Sequence, residues 1–448
     1  MDDNFNSNPT DCLIISPYLK YHNQPNNSSN SQQYVTNFSY NVHELHQEAI
    51  GLAAAINLTV ARDEVIQMSK IVPASLIGKG KIADLKQYID AECIQLTIVN
   101  QNISPIQQRN LELGLGCKVI DRTALILEIF GERASTREGK LQVELAALEY
   151  QKSRLVRSWT HLERQRGGHG VMGGPGEKQI ESDRRQINDR IKRIKDSLNI
   201  VKKTRLLHRQ SRKNIPFPIV AIVGYTNAGK STLFNILTNS DVMAKDMLFA
   251  TLDPTMRSVI LPSGMKIIIS DTVGFIANLP TELIAAFRAT LEEVLEADII
   301  LHVRDITHPS SASHKKDVLQ ILDDLGLSEV ISYNMIEVQN KIDLLDPEDA
   351  QKLIAEKSKD NRIVVSAVEN LFIDDLLHLI ERKITELKKF ITKKITVILP
   401  VSEGKLISWI HDNCFIDEKN YQDENILIAC RVLMKDLYKI EDFIVDSI

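Results

Sequence analysis

The sequence predicts an α/β architecture divided into several domains. Three observations carry that expectation. Short apolar runs alternate with amphipathic stretches of about ten residues, as parallel strands alternate with crossover helices. Two long helical patterns flank one glycine-rich break. The 448 residues amount to roughly three cores at about 150 residues per domain.

Residues 1–40 are rich in Asn, Ser and Gln, contain Pro9, Pro17 and Pro25, and show no sustained periodicity. They read as a disordered tail, in which Cys12-Leu13-Ile14-Ile15 suits one short strand. Residues 41–135 read as an N-terminal α/β domain. Val42, Leu45, Ala49 and Leu52 recur at helical spacing. Lys79 to Ile89 is amphipathic, and Cys93 to Val99 and Cys117 to Ile120 read as strands. Ser104 suits an N-cap, with Pro105 in the first turn.

Residues 136–214 predict a basic helical hairpin. Leu141, Leu145, Leu148, Leu155 and Leu162 mark one face of the first helix. The stretch Gly167 to Gly176 holds too many glycines to be helical throughout. Ile187, Ile191, Ile194, Leu198 and Val201 then repeat as an a/d stripe. Pro216 and Pro218 mark the next boundary. Strands and helices alternate over 215–390. Residues 391–448 form a small C-terminal α/β domain, with strands at Ile395 to Leu399 and Ile426 to Ala429 and a helix near Gly404 to Asp412.

Composition excludes several classes. Hydrophobic residues at 43% and charged residues at 25% are globular values, so a core forms without disulfides. Cys12, Cys93, Cys117, Cys414 and Cys430 are scattered and form no CxxC, which argues for reduced thiols and against zinc. No run of about 18 apolar residues predicts a membrane span. The N-terminus has no basic and apolar leader pattern, so a cytoplasmic location is expected. The net charge of −5 conceals an imbalance. Lys152 to Lys213 holds 18 Lys and Arg against 6 Asp and Glu, a local +12 that leaves −17 elsewhere. Such a segment is the footprint of a polyanion partner.

The chemistry is concentrated in 215–390. Ile219 to Val223 is a buried-strand pattern that runs into Gly224-Tyr225-Thr226-Asn227-Ala228-Gly229-Lys230-Ser231, followed by Thr232 and the amphipathic Leu233, Phe234, Ile236 and Leu237. GxxxxGK[ST] between a strand and a helix is a phosphate-binding loop. Glycines turn backbone N–H groups inward and the helix N-terminus adds its dipole. Lys230 is placed to reach the β- and γ-phosphates, and Ser231 to ligate Mg²⁺.

Asn340-Lys341-Ile342-Asp343 follows 110 residues after Lys230. In an NKxD the Asp carboxylate accepts from N1–H and the 2-amino group of guanine, a donor pair that adenine lacks. Ser366-Ala367-Val368 suits the remaining base loop. Between these elements, Asp271-Thr272-Val273-Gly274 is a DxxG. Its Asp271 holds the metal through water, and its Gly274 N–H contacts the γ-phosphate. Phe249-Ala250-Thr251-Leu252-Asp253 lies where a first switch belongs. Thr251 is the candidate for the second side-chain ligand of Mg²⁺, with Thr255 as competitor.

Five elements in this order predict a Ras-like P-loop GTPase domain. Water is the nucleophile. The catalytic candidates Lys230, Thr251 and Gly274 therefore act on charge and position, and the metal ligands are Ser231, Thr251 and Asp271. Phe275 follows the DxxG where many small GTPases carry a water-orienting Gln, so slow intrinsic hydrolysis is expected. Asn227 resembles the P-loop Asn of GTPases that use K⁺ beside the phosphates.

The P-loop and first-switch strings resemble those of the HflX GTPases. So do Val119-Ile120-Asp121-Arg122-Thr123, Arg137 to Leu145 and Gly174-Pro175-Gly176-Glu177, which lie outside the nucleotide motifs. The resemblance implies a GTPase that binds the large ribosomal subunit and acts in splitting, rescuing or recycling ribosomes. It implies that the 136–214 segment approaches rRNA. Many members carry an Arg before the Gly-Pro-Gly; Met172-Gly173-Gly174 has none. The competing reading is an RNA-binding or RNA-remodelling module in which GTP only tunes affinity. A monomer is expected.

Overall fold

The computed structural model describes residues 10–20, 41–158, 175–212, 217–239, 249, 255–277, 293–327, 333–355, 361–387, 392–422 and 425–447. The N-terminal layer runs β1 (Asp11–Leu19), α1 (Val42–Ala54), β2 (Thr59–Met68), α2 (Lys79–Glu92), β3 (Leu96–Val99), α3 (Pro105–Leu115), β4 (Lys118–Asp121) and α4 (Arg122–Arg133). Its strands pair in parallel in the order β2-β1-β3-β4. The expected short strand at Cys12 to Ile15 is present and extends over Asp11–Leu19, so a disordered 1–40 tail fails there. Leu13, Ile14 and Ile15 are fully buried, because this strand sits between β2 and β3 and packs on both faces.

Local signals fix the helix ends. Ser104 Oγ accepts from Gln107 N at 3.2 Å, and Gln107 Oε1 accepts from Ser104 N at 2.8 Å. Ser104 is the expected N-cap, and the reciprocal bond from Gln107 completes a capping box. Asp121 caps α4 by accepting from Ala124 N at 2.9 Å.

The hairpin is α5 (Arg137–Ser158) and α6 (Pro175–Arg212). Ile191, Ile194 and Leu198 are buried, so the expected stripe on α6 does face its partner. Arg190–Glu144 at 2.7 Å and Lys195–Glu149 at 2.8 Å tie the two helices. On α5 the most buried apolar positions are Val143 and Ala146, not the leucines. This face packs in one core with Ile126, Ile129 and Phe130 of α4. Residues 159–174, with most of the glycine-rich break, lie outside the described residues. Pro175 and Gly176 open α6, as a first-turn proline can.

The second sheet follows the order β10-β9-β8-β5-β7-β6. Its strands are β5 (Ile219–Gly224), β6 (Thr255–Ile260), β7 (Lys266–Asp271), β8 (Ile299–Asp305), β9 (Met335–Asn340) and β10 (Arg362–Val364). All pairs are parallel except β6–β7. Its helices include α7 (Lys230–Thr238), α8 (Ser311–Asp324), α9 (Pro347–Ala355) and α10 (Ile373–Glu386). Ligands bind at the carboxyl ends of such strands, and β5, β7 and β9 all end in motif residues.

The C-terminal unit is an antiparallel sheet, β12-β13-β11-β14, with α11 (Gly404–Asn413) against it. Its strands are β11 (Thr392–Pro400), β12 (Phe415–Gln422), β13 (Asn425–Leu433) and β14 (Ile444–Ser447). Among the described residues no helix is long and apolar enough to cross a membrane.

One core crosses between units. Ile126, Ile129 and Phe130 of α4 pack with Phe249, Phe275 and Ile276 of the P-loop domain. Phe130 meets Phe249 edge to face at 4.6 Å and 76°.

Candidate nucleotide-binding site

The loop after β5 has no room for side chains at its two motif glycines. A Cβ on Gly224 would lie 2.2 Å from the Val303 carbonyl oxygen. One on Gly229, where φ is +88°, would lie 2.2 Å from Asn340 Nδ2. The first glycine lets β8 close on β5, and the second lets Asn340 at the end of β9 close on the loop.

Lys230 opens α7 and is buried, with Nζ donating to the Tyr225 carbonyl at 2.7 Å. Burial pushes its ammonium down to about 8, and Asp271 opposes that shift. A phosphate over the loop would restore the charged form. Nucleotide binding should therefore take up no proton at this site well below pH 8. It should take up approximately one between 8 and the ordinary lysine range, with affinity falling as pH rises through that window. Titration calorimetry in two buffers of different ionisation enthalpy reads the uptake. Zero uptake at pH 9 contradicts it.

Ser231 Oγ donates to Asp271 Oδ2 at 2.8 Å. This places a hydroxyl beside a fully buried carboxylate. Two hard oxygens beside a phosphate loop fit Mg²⁺, which takes few protein ligands and completes its shell with phosphate and water. Thr272 Oγ1 donates to the Ile222 carbonyl at 2.6 Å, tying the DxxG to β5, and Val273 is buried. A Cβ on Gly274 would lie 2.9 Å from Lys230 Nζ and 2.8 Å from Thr226 Cγ2. The DxxG glycine thus lies against the P-loop.

Phe275 is pinned by its backbone. Its carbonyl accepts from Thr226 N at 2.7 Å, and its N–H donates to the Gly224 carbonyl at 3.1 Å. The ring is buried in the shared core. It cannot orient a water molecule.

At the base end, Asn340 Nδ2 donates to the Ala228 carbonyl at 2.9 Å, and its Oδ1 accepts from Ala367 N at 3.0 Å. One side chain ties the P-loop to the Ser366–Ala367 loop. Lys341 has φ +68° and its Nζ pairs with Asp305 at 2.7 Å. Burial raises the Asp305 carboxyl, but hydrogen bonds from Lys341 and Thr307 outweigh it and hold the group below its ordinary value. Ile342 is buried beneath a short turn, and Asp343 on that turn is exposed, open to a base. Ser366 is buried, its Oγ accepting from Glu369 N at 3.0 Å, and Val368 is exposed. Asn227 is exposed with φ +59°.

Ala250, Thr251, Leu252 and Asp253 lie outside the described residues. Thr255 opens β6, paired with Asp271 across the ladder.

Sequence reasoning missed residues that the N-terminal layer brings to this site. Tyr225 Oη donates to Glu48 Oε1 at 2.8 Å and accepts from Ala277 N at 2.5 Å. Arg122 donates to Glu48 Oε2 at 2.9 Å and to the Ala277 carbonyl at 3.1 Å. Glu48 carries no local signal, being one acidic residue on an amphipathic helix. Arg122 had only its place in the Val119 to Thr123 string.

Four family models match the chain. They are "GTP-binding GTPase N-terminal" over 43–131, "GTP-binding GTPase Middle Region" over 133–212, "50S ribosome-binding GTPase" over 219–341 and "HflX C-terminal domain" over 352–442. A protein of Magnetococcus marinus named GTPase HflX is 49% identical over 377 residues, 84% of each chain. Its namesake from Escherichia coli is 42% identical over 362 residues, 81% of this chain and 83% of that one. Among solved structures, a GTP-binding protein of Sulfolobus solfataricus in complex with GDP covers 85% of this chain and 99% of its own. It is 24% identical, with a TM-score of 0.45.

Proposed function

Because the chain belongs to the HflX family of GTPases and is a GTP-hydrolysing enzyme, we propose that its nucleotide cycle gates binding to the large ribosomal subunit. There it acts in ribosome splitting, rescue or recycling. The observation that supports this most is the hairpin. α6 alone has 38 residues, about 57 Å at 1.5 Å per residue. Arg184, Arg185, Lys192 and Arg193 on it are exposed. An arm of that length and charge suits rRNA phosphates, and its binding should weaken steeply with salt.

In this reading Lys230 and the P-loop N–H groups hold the phosphates, and Gly274 donates to the γ-phosphate. Asp343 selects guanine, with Ser366 to Val368 closing over the base. Ser231, Asp271 and Thr251 hold Mg²⁺, which supplies charge neutralisation when bound. Asn227 supports a K⁺ ion at the same phosphates. Phe275 leaves the attacking water without a side-chain partner, so the subunit supplies alignment. The protein works as a cytoplasmic, ribosome-associated monomer.

The test is GTP hydrolysis with and without purified large subunits, in KCl and in NaCl. A rise of about tenfold or more with subunits, about 1.4 kcal/mol off the barrier, is expected, and a faster rate in KCl. No rise with binding intact would favour an RNA-binding module tuned by GTP.

A further inference from the structure

We propose that Asp121 and Arg122 couple the helical hairpin to the segment after the DxxG, with Arg122 as a positioning residue for hydrolysis. Only the source of the signal rests on the ribosome reading above. The two residues are adjacent, at the junction of β4 and α4, and both are buried. They serve different partners.

Asp121 holds the hairpin. Its carboxylate caps α4, accepts from Tyr150 Oη at 2.7 Å and pairs with Arg154. Both partners lie on α5. Arg154 also donates to the Ile103 carbonyl at 3.1 Å and to Gln108 Oε1, and its guanidinium lies 4.5 Å from the Tyr150 ring centre. Two α5 side chains thus converge on the Asp121 carboxylate.

Arg122 holds the switch. It donates to Asn100 Oδ1 at 2.9 Å, to Glu48 at 2.9 Å and to the Ala277 carbonyl at 3.1 Å. Ala277 is the third residue after Gly274. Its N–H donates to Tyr225 Oη, which itself donates to Glu48. Glu48, Tyr225, Ala277 and Arg122 therefore close a ring of hydrogen bonds. The C=O and N–H of one switch residue are held, one by the N-terminal layer and one by the P-loop.

These bonds include charged groups and are buried or partly buried, so they are strong and directional. Gly274 cannot move relative to the γ-phosphate position without straining the ring three residues on. A displacement of α5 acts on Asp121, and Asp121 and Arg122 share one helix start, so the displacement reaches Ala277. A physical route of this kind needs a coupling measurement.

The test uses full-length Arg154→Gln, Arg122→Ala and Arg122→Lys proteins. Three quantities are read: amide hydrogen exchange over 271–277, kcat and KM for GTP, and stimulation by large subunits. For Arg154→Gln, kcat and KM without subunits should stay within about twofold. Stimulation should fall about tenfold with subunit binding retained, and exchange over 271–277 should quicken by about threefold. Arg122→Ala should lower kcat about tenfold at unchanged KM, with faster exchange, and Arg122→Lys should recover part of both. A purely structural role would not split kcat from KM in this way.

Full stimulation of Arg154→Gln overturns the proposal. So does an Arg122→Ala effect on KM alone. If Arg122→Ala does not fold, Arg122→Lys and Arg154→Gln carry the test. If the unmodified protein is not stimulated, the ribosome reading fails by itself. The coupling is then decided by exchange in Arg154→Gln, where a quickening over 271–277 supports it and no change overturns it.

Discussion

Replacing Gly274 by Ala should lower GTP hydrolysis by about two to three orders of magnitude, the range for losing a preorganised donor to developing charge. GDP affinity should stay within a few-fold. The added Cβ would sit 2.8 Å from Thr226 Cγ2, 2.9 Å from Lys230 Nζ and 3.0 Å from Thr226 Cα. The last of these is backbone and cannot swing aside. Relief requires the DxxG to withdraw from the P-loop, which takes its N–H away from the γ-phosphate position. GDP has no γ-phosphate and does not use that donor. Single-turnover hydrolysis alongside fluorescent-GDP binding separates the two effects. Turnover within threefold of the unmodified protein would show that Gly274 is not poised as its contacts indicate.

Asp343→Asn should lower GTP affinity by about two orders of magnitude or more. A carboxylate accepting two N–H donors of a base makes charge-assisted hydrogen bonds, and their loss at roughly 1.5 to 3 kcal/mol each amounts to that factor. Xanthosine triphosphate, which presents a carbonyl where guanine presents its amino group, should gain, because the new amide can donate to it. The fold should be unaffected, since Asp343 is exposed and the buried anchor of the turn is Ile342. Competition of the two nucleotides for the variant reads the change directly. An unaltered preference for GTP would move base recognition away from this loop. Asn340 differs in kind. It joins Ala228 to Ala367, so its loss would loosen the site as a whole.

The nucleotide motifs were legible because phosphate and guanine recognition use short contiguous strings. A glycine that must admit Val303 or Asn340 sits at a fixed offset from the lysine it serves. The strands that carry the motifs are central and apolar, so they stand out. Other elements were invisible for equally local reasons. β2 carries Arg62, Asp63 and Glu64 at a sheet edge, where charge blunts pairing with other chains and also hides the strand pattern. α4 buries Leu125, Ile126, Leu127, Ile129 and Phe130. A helix covered on several sides has no stripe to detect. The apolar centre of β1, Cys12 to Ile15, was legible as a short strand, but its polar, low-complexity flanks hid its full length, Asp11–Leu19.

The P-loop, DxxG and NKxD strings and the basic two-helix arm are readable from local spacing and charge alone. How the arm and the site are joined follows from packing between distant segments. Glu48 meets Tyr225 across 177 positions, and Arg122 meets Ala277 across 155. Such pairs obey no period and no spacing rule. They exist because two separately patterned layers share one apolar core through Phe130, Phe249 and Phe275, and the polar groups buried at its edge had to find partners there.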